Sequence, residues 1–128
     1  MKIIVDGNDG LGKSTLVKAL LAHGIIASDR GTPTKLTDDL SIAVPTDEFY
    51  LILDAPIEIS RTRLAQAGKD LNERYHTIED LQHYRERFRE IAQRLGTQCV
   101  VIDATRSPES VLSDALNTLR ERITSSTP

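Results

Sequence analysis

The sequence predicts an α/β fold in three layers, with a small, mostly parallel sheet covered by helices on both faces. Three observations carry that expectation. Short apolar, β-branched segments alternate with amphipathic helical patterns along the chain. The apolar segments show no polar alternation, which is how strands buried on both faces of a parallel sheet read. Four of the segments end in an aspartate: Asp6, Asp29, Asp54 and Asp103. In a parallel sheet these acids share the carboxyl edge, where open α/β sheets bind their ligands.

The elements follow in order. Lys2–Asp6 reads as a first buried strand, stopped by Gly7. Residues 13–22 read as a helix with Gly24 near its C-terminal cap. Gly24–Asp29 reads as a second short strand. Residues 31–48 carry Pro33 and Pro45 among many polar residues and read as loop, with one helical turn behind Thr37 as N-cap. Phe49–Asp54 is the third strand, and a helix starts at Pro56 and runs to about Ala67, with Gly68 just beyond. Residues 69–76 are polar and irregular. Thr77 and Asp80 resemble a capping box. Ile78, Leu81, Tyr84, Phe88, Ile91 and Leu95 then keep helical spacing over five turns. Cys99–Asp103 is the fourth strand, and the last helix starts at Ser107–Glu109 with an inner face of Val111, Leu112, Ala115, Leu116, Leu119 and Ile123. Residues 1–123 are expected to form one domain and residues 124–128 a disordered tail.

Composition narrows the functional classes. The chain has 128 residues, 39% hydrophobic and 27% charged, which excludes a collagen-like or disordered polymer. Its net charge of −3 offers no general coat for nucleic acid, whose backbone calls for clustered cations; a nucleic-acid end as a small target stays open. A single cysteine, Cys99, rules out an intrachain disulfide and suits a reducing compartment, so a cytoplasmic location is expected. No apolar run approaches the ~20 residues that span a bilayer, and the N-terminus lacks a signal-peptide pattern.

Three of the seven glycines fall between residues 7 and 12. Gly7-Asn8-Asp9-Gly10-Leu11-Gly12-Lys13-Ser14 fits G-x-x-x-x-G-K-[ST] at every fixed position, after a strand and before a helix. Glycines let such a loop turn its N–H groups toward an anion, and the following helix adds its dipole. Lys13 reaches outer phosphates, Ser14 supplies a hydroxyl for Mg²⁺, and Thr15 completes the loop's end. The alternative is a glycine turn that merely precedes a helix. The motif implies a nucleoside triphosphate, taken here as ATP, with Mg²⁺. It leaves the reaction open among GTPases, ATPases and kinases. No guanine-reading motif and no D-x-x-G switch accompany it.

The run Val5-Asp6-Gly7-Asn8-Asp9-Gly10-Leu11-Gly12-Lys13-Ser14-Thr15 resembles the phosphate loop of the thymidylate kinase family. Tyr50–Glu58 resembles that family's strand-to-helix junction, Gly68–Tyr75 its arginine-bearing lid, and Val101–Thr105 its last strand and the turn beside adenine. The resemblance implies an unusually short phosphate-loop kinase domain with a lid at about 64–77. It implies ATP-dependent phosphoryl transfer to a deoxynucleoside monophosphate, a small-molecule acceptor and a homodimer. Carried over by residue, it implies that Asp9 lies near the acceptor sugar's 3′-hydroxyl. It also implies that Asp29 serves Mg²⁺ or the acceptor, and that Arg30 grips the acceptor phosphate. For Asp29-Arg30 the plain alternative is a surface turn. Arg63 and Arg74 fall on the lid side of the reaction, where transition-state charge must be met because the loop itself holds no arginine.

The chain departs from the family pattern in two ways. Two arginines common in the family fall on Ala65 and Ala67, and no Glu-Arg-x-Pro segment separates Lys13 from Asp29. By elimination, residues 31–48 are the remaining segment for an acceptor site, with Lys35 as its cation. Residues 60–94 carry a local charge of +2 against −5 for the rest, as a phosphate-covering lid would. Within them, Arg85, Arg87 and Arg89 read mostly as a solvated helix face, and His76 carries no metal-site spacing. A nucleotide-binding module or degraded kinase with little turnover is the alternative, as is a kinase for a modified base or nucleic-acid end.

Overall fold

A computed structural model describes residues 1–30 and 35–125, with the side chains of 35–36 and 123–125 left out of the description. Four strands, β1 (Lys2–Gly7), β2 (Ala27–Asp29), β3 (Glu48–Asp54) and β4 (Cys99–Asp103), form one sheet in the order β2-β1-β3-β4. All three pairings are parallel, with Val5 opposite Asp29, Gly7 opposite Leu53 and Asp54 opposite Asp103. Asp29, Asp54 and Asp103 are thus last residues of their strands, and Asp6 is last but one. Among the described residues the α-helices are α1 (Lys13–Ala22), α2 (Lys35–Asp38), α3 (Ile57–Gln66), α4 (Ile78–Leu95) and α5 (Pro108–Ser125). The last three residues lie outside the description.

Alternate side chains of the central strands feed two cores. Val5, Leu51 and Leu53 face α1 and α5, packing on Leu16, Leu20, Val111, Ala115 and Leu119. Ile4, Tyr50 and Ile52 face α4, packing on Phe88, Ile91 and Leu95. Both faces of the sheet are therefore apolar, which accounts for the unbroken hydrophobic runs of β1 and β3. The helix stripes of α4 and α5 do the covering, although Ile78 at the start of α4 is 53% exposed.

The expected boundaries shift where local chemistry decides. Helix α1 ends in two bonds, Ile25 N–H to Leu20 O and Gly24 N–H to Leu21 O, with Gly24 at φ +77°. This Schellman arrangement consumes the residues before Ala27, so β2 is three residues long rather than six. β2 and β4 are edge strands, and Val101 is half-exposed instead of buried. Thr37 is not an N-cap: it lies inside α2, only 1% exposed. The capping sites at α4 and α5 do form, with Thr77 Oγ1 accepting from Asp80 N–H at 3.1 Å and Ser107 Oγ from Ser110 N–H at 3.2 Å.

Candidate active site

The chain leaves β1 through Gly7 and enters α1 at Lys13. Between them the loop is held in a shape that few residue types can adopt. Gly7 has φ +134°, and a Cβ there would lie 2.5 Å from the Leu53 carbonyl oxygen of the neighbouring strand. Gly10 has φ +84°, and its Cβ would meet the Ser60 carbonyl of α3 at 2.8 Å. The spacing of these glycines thus reflects two close backbone approaches as well as torsional freedom. Asn8 is buried and ties the loop to the start of α4, its Nδ2 donating to Leu81 O at 2.9 Å across 73 residues of sequence.

At the mouth of α1, Gly12 stands as N-cap at φ 89°, with no side-chain cap. The first intrahelical bond runs from Leu16 N–H to Gly12 O, which leaves the amides of Lys13, Ser14 and Thr15 outside the helix ladder. Free N–H groups and the positive end of a helix dipole are what an oxyanion site needs. Lys13 is 8% exposed; its Nζ donates to Gly7 O at 2.8 Å and lies 3.6 Å from Asp9 Oδ1. Ser14 is exposed to the same side.

Two recesses meet at this loop. One, of about 550 Å³, is lined by Asp9, Gly12, Lys13, Ser14, Asp29, Arg63, Lys69, Glu73 and His76. The other is an apolar cleft of about 320 Å³ between α1 and α5, lined by Thr15, Leu16, Ala19, Ala104, Val111 and Leu112. Gly10, Gly12 and Arg63 border both, and Arg106 closes the far side of the cleft. A polar recess continuous with an apolar cleft suits a molecule that is charged at one end and flat and apolar at the other.

The residue set fits a triphosphate with Mg²⁺. The recess combines a lysine, an arginine and a helix N-terminus for the phosphates. It also offers two hard oxygen donors, the Ser14 hydroxyl and the Asp29 carboxylate, of the kind Mg²⁺ takes while keeping phosphate and water ligands. Among the described residues no cluster of three or more His, Cys, Asp or Glu forms a metal cage.

Of the residues singled out from sequence, Asp9, Gly10, Gly12, Lys13 and Ser14 share a recess with Asp29 and Arg63, Leu11 and Thr15 line the adjoining cleft, and Gly7 and the buried Asn8 shape the loop from behind. Arg30 does not join them. Its guanidinium turns back along the sheet to Glu48 Oε2 at 2.5 Å and to the Tyr50 hydroxyl at 3.2 Å, and that hydroxyl donates to Glu48 Oε1 at 2.5 Å. Glu48 is 5% exposed, so its carboxylate demands a cation, and Arg30 supplies it. Burial first, and the bond to Glu48 second, push the Tyr50 phenol up to about 12. Arg74 is exposed and stacks over the Tyr75 ring at 5.0 Å instead of entering the recess. The Lys35 side chain and residues 31–34 lie outside the described residues.

Other residues gain roles that sequence reasoning missed. Arg85 is not a solvated charge: its Nε and Nη2 reach Asp54 at 3.0 and 3.3 Å, and Arg89 approaches the same carboxylate at 3.9 Å. Asp54 at a strand end was visible; that α4 would bring two arginines over it was not, because that depends on how α4 crosses the sheet. His76 is buried, with Nε2 3.1 Å from Asp9 Oδ2. Asp6 is 3% exposed, and its Oδ1 has no hydrogen-bond partner among the described residues. Desolvation pushes its carboxyl up to about 7 against the pull of Lys13 and Arg30.

Fold and site together define a phosphate-loop α/β architecture, a parallel sheet with its glycine-rich loop at the head of α1. A deoxyadenosine kinase from M. mycoides with bound dATP superposes with a TM-score of 0.62 at 15% identity, over 94% of this chain and 100% of that one. A gluconokinase from Sinorhizobium meliloti 1021 superposes at 0.61 and 14% identity, over 94% and 91%. No family model matches the chain. Within that fold the sequence is similar to thymidylate kinases. That of Bradyrhizobium sp. (strain ORS 278) is 36% identical over 80 residues, 59% of this chain and 35% of that protein. That of Rhodopseudomonas palustris is 36% identical over 79 residues, 59% and 34%. The matched segment spans about a third of the length of these relatives.

Proposed function

We propose that the protein transfers the γ-phosphoryl group of ATP to the phosphate of a deoxynucleoside monophosphate. The observation that carries this reading is that Asp9, Gly10, Gly12, Lys13 and Ser14 of the phosphate loop share one recess with Asp29 and Arg63, beside an apolar cleft suited to a base. Similarity to thymidylate kinases supports the choice of acceptor class.

In this reading the base of ATP occupies the cleft between α1 and α5, and the triphosphate crosses Gly10–Gly12 into the recess. Lys13 leaves Gly7 O and Asp9 for the outer phosphates, and the amides of the first turn of α1 take the phosphate oxygens. Ser14 and Asp29 would hold Mg²⁺, which when bound would supply positive charge against the phosphates. Arg63, between the two recesses, meets the charge that develops between the β and γ phosphates. An oxygen of the acceptor phosphate attacks the γ-phosphorus, the bond to the β,γ-bridging oxygen breaks, and ADP leaves with the electron pair. Residues 64–77 act as the lid. The cytoplasm, where ATP is kept, is the proposed location, and a homodimer the proposed assembly.

A second reading is favoured by specific residues: Arg74 lies away from the recess, and Ala65 and Ala67 stand where lid arginines are common. A nucleotide-binding module with little turnover would look the same at the loop. The two are separated by incubating ATP and Mg²⁺ with ribo- and deoxynucleoside monophosphates and with oligonucleotides, and following phosphoryl transfer. Transfer to a deoxynucleotide that is lost in Lys13→Ala supports the kinase. Tight ATP binding with no transfer to any acceptor favours the module, and transfer to an oligonucleotide alone moves the acceptor to a nucleic-acid end.

A further inference from the structure

The loop carries an acid where it should least want one. Asp9 borders the phosphate recess, and in the structure its charge is shared between Lys13 and His76. When Lys13 turns to a polyanion, Asp9 is left beside that polyanion with His76 as its remaining partner. His76 is well placed for this. It is buried, its Nε2 faces Asp9 Oδ2 at 3.1 Å and its Nδ1 faces the Asp70 carbonyl oxygen at 3.1 Å. Both neighbours are acceptors, so the ring satisfies both only with a hydrogen on each nitrogen.

The backbone is bent to aim the ring. Tyr75 sits at φ 74°, the left-handed region, among described residues otherwise occupied by glycine. That position is disfavoured for a residue with a Cβ, and it is held by its N–H donating to Asp80 Oδ2 at 2.8 Å. Arg61 of α3 fixes the next peptide, donating to His76 O at 3.0 Å. Strain held by bonds on both sides marks a side chain whose direction matters.

We propose that His76 is a positioning residue of the nucleotide site: it clamps the lid segment to the phosphate loop through Asp9, and its positive charge replaces that of Lys13 when Lys13 engages the phosphates. This rests on reading the loop as a triphosphate site. His76 lines the recess, and in this role it acts through Asp9, holding that carboxylate in place and balancing its charge. The charged groups facing the ring are Asp9 from the loop and Glu73 of its own segment, 3.7 Å from Nδ1, with Lys13 of α1 behind Asp9 and Arg61 of α3 at the His76 carbonyl.

The test is the Kd of Mg·ATP for the wild type, His76→Ala, His76→Gln, Asp9→Asn and the Asp9→Asn, His76→Ala double variant, each checked for folding by circular dichroism. His76→Ala is expected to weaken binding about tenfold, an effect of one charge-assisted bond. His76→Gln, which keeps a donor at the Nε2 position, is expected to recover part of the affinity. In Asp9→Asn, adding His76→Ala is expected to change nothing. Unchanged affinity in both His76 variants, with Lys13→Ala still abolishing binding, overturns the proposal and leaves the triphosphate reading intact. Absence of ATP binding by the wild type overturns the triphosphate reading itself.

Discussion

Asp6 gives the most quantitative handle on this molecule. Its carboxyl sits at the end of β1 under the phosphate loop, 3% exposed, with Oδ1 unpartnered among the described residues. Desolvation raises it from 3.8 to about 7, although Lys13 and Arg30 pull the other way. Folded Asp6 therefore keeps its proton to higher pH than unfolded Asp6. Folding takes up a proton between those two values, so stability falls as pH rises from about 4 to about 7. A gap of about 3 pH units at about 1.4 kcal/mol each amounts to about 4 kcal/mol when the group is fully ionised. Asp6→Asn removes the titration. Its amide also needs partners in a buried site, so its absolute stability carries a separate cost that does not vary with pH. The assay is urea unfolding of both proteins at half-unit steps from pH 4 to 8.5. The variant is expected to gain on the wild type by several kcal/mol across that range and to level off above about pH 7. A difference that stays constant with pH would refute the burial argument.

Three further changes probe the frame of the site. Gly7→Ala places a Cβ 2.5 Å from Leu53 O at a φ of +134°, and is expected to cost about 3 kcal/mol or more in urea unfolding, together with ATP binding. Glu48→Gln leaves Arg30 without its counter-ion and Tyr50 without a charged acceptor; with Arg30 partly exposed the loss is about 2 kcal/mol, and the phenol, read by ultraviolet absorbance, is expected to titrate below about 12. Arg85→Ala removes two bonds to Asp54 and is expected to cost about 1–2 kcal/mol in thermal or urea unfolding, softened by Arg89 at 3.9 Å. A stability unchanged within error would show that Arg85 is the solvated residue its helix position suggested.

Much of the architecture was written in local patterns. The runs 2–6, 49–54 and 99–103 could only be strands of a covered parallel sheet, and the five-turn stripe from Ile78 to Leu95 could only be one long helix. The phosphate loop was legible because its chemistry is consecutive: glycines, lysine and serine act from adjacent positions. What escaped was non-local. The Arg30–Glu48–Tyr50 cluster depends on which way a strand-end side chain leans, and a buried carboxylate 18 residues away outbid any ligand for Arg30. His76 meets Asp9 across 67 residues, by way of an unusual torsion at Tyr75. No spacing rule reports either. The short β2 was missed because a Schellman turn took the residues that looked like strand, and Val101 looked buried because an edge strand reads like a central one.

The central claim is that the loop from Gly7 to Thr15 binds the triphosphate of Mg·ATP. Isothermal titration of the protein with ATP, with and without Mg²⁺, tests it most directly when paired with Lys13→Ala and Ser14→Ala. The account expects a single saturable site. Lys13→Ala should weaken it at least a hundredfold, and its gain from Mg²⁺ should vanish in Ser14→Ala. Binding that survives Lys13→Ala unchanged, or no binding at millimolar ATP in a folded protein, would contradict it.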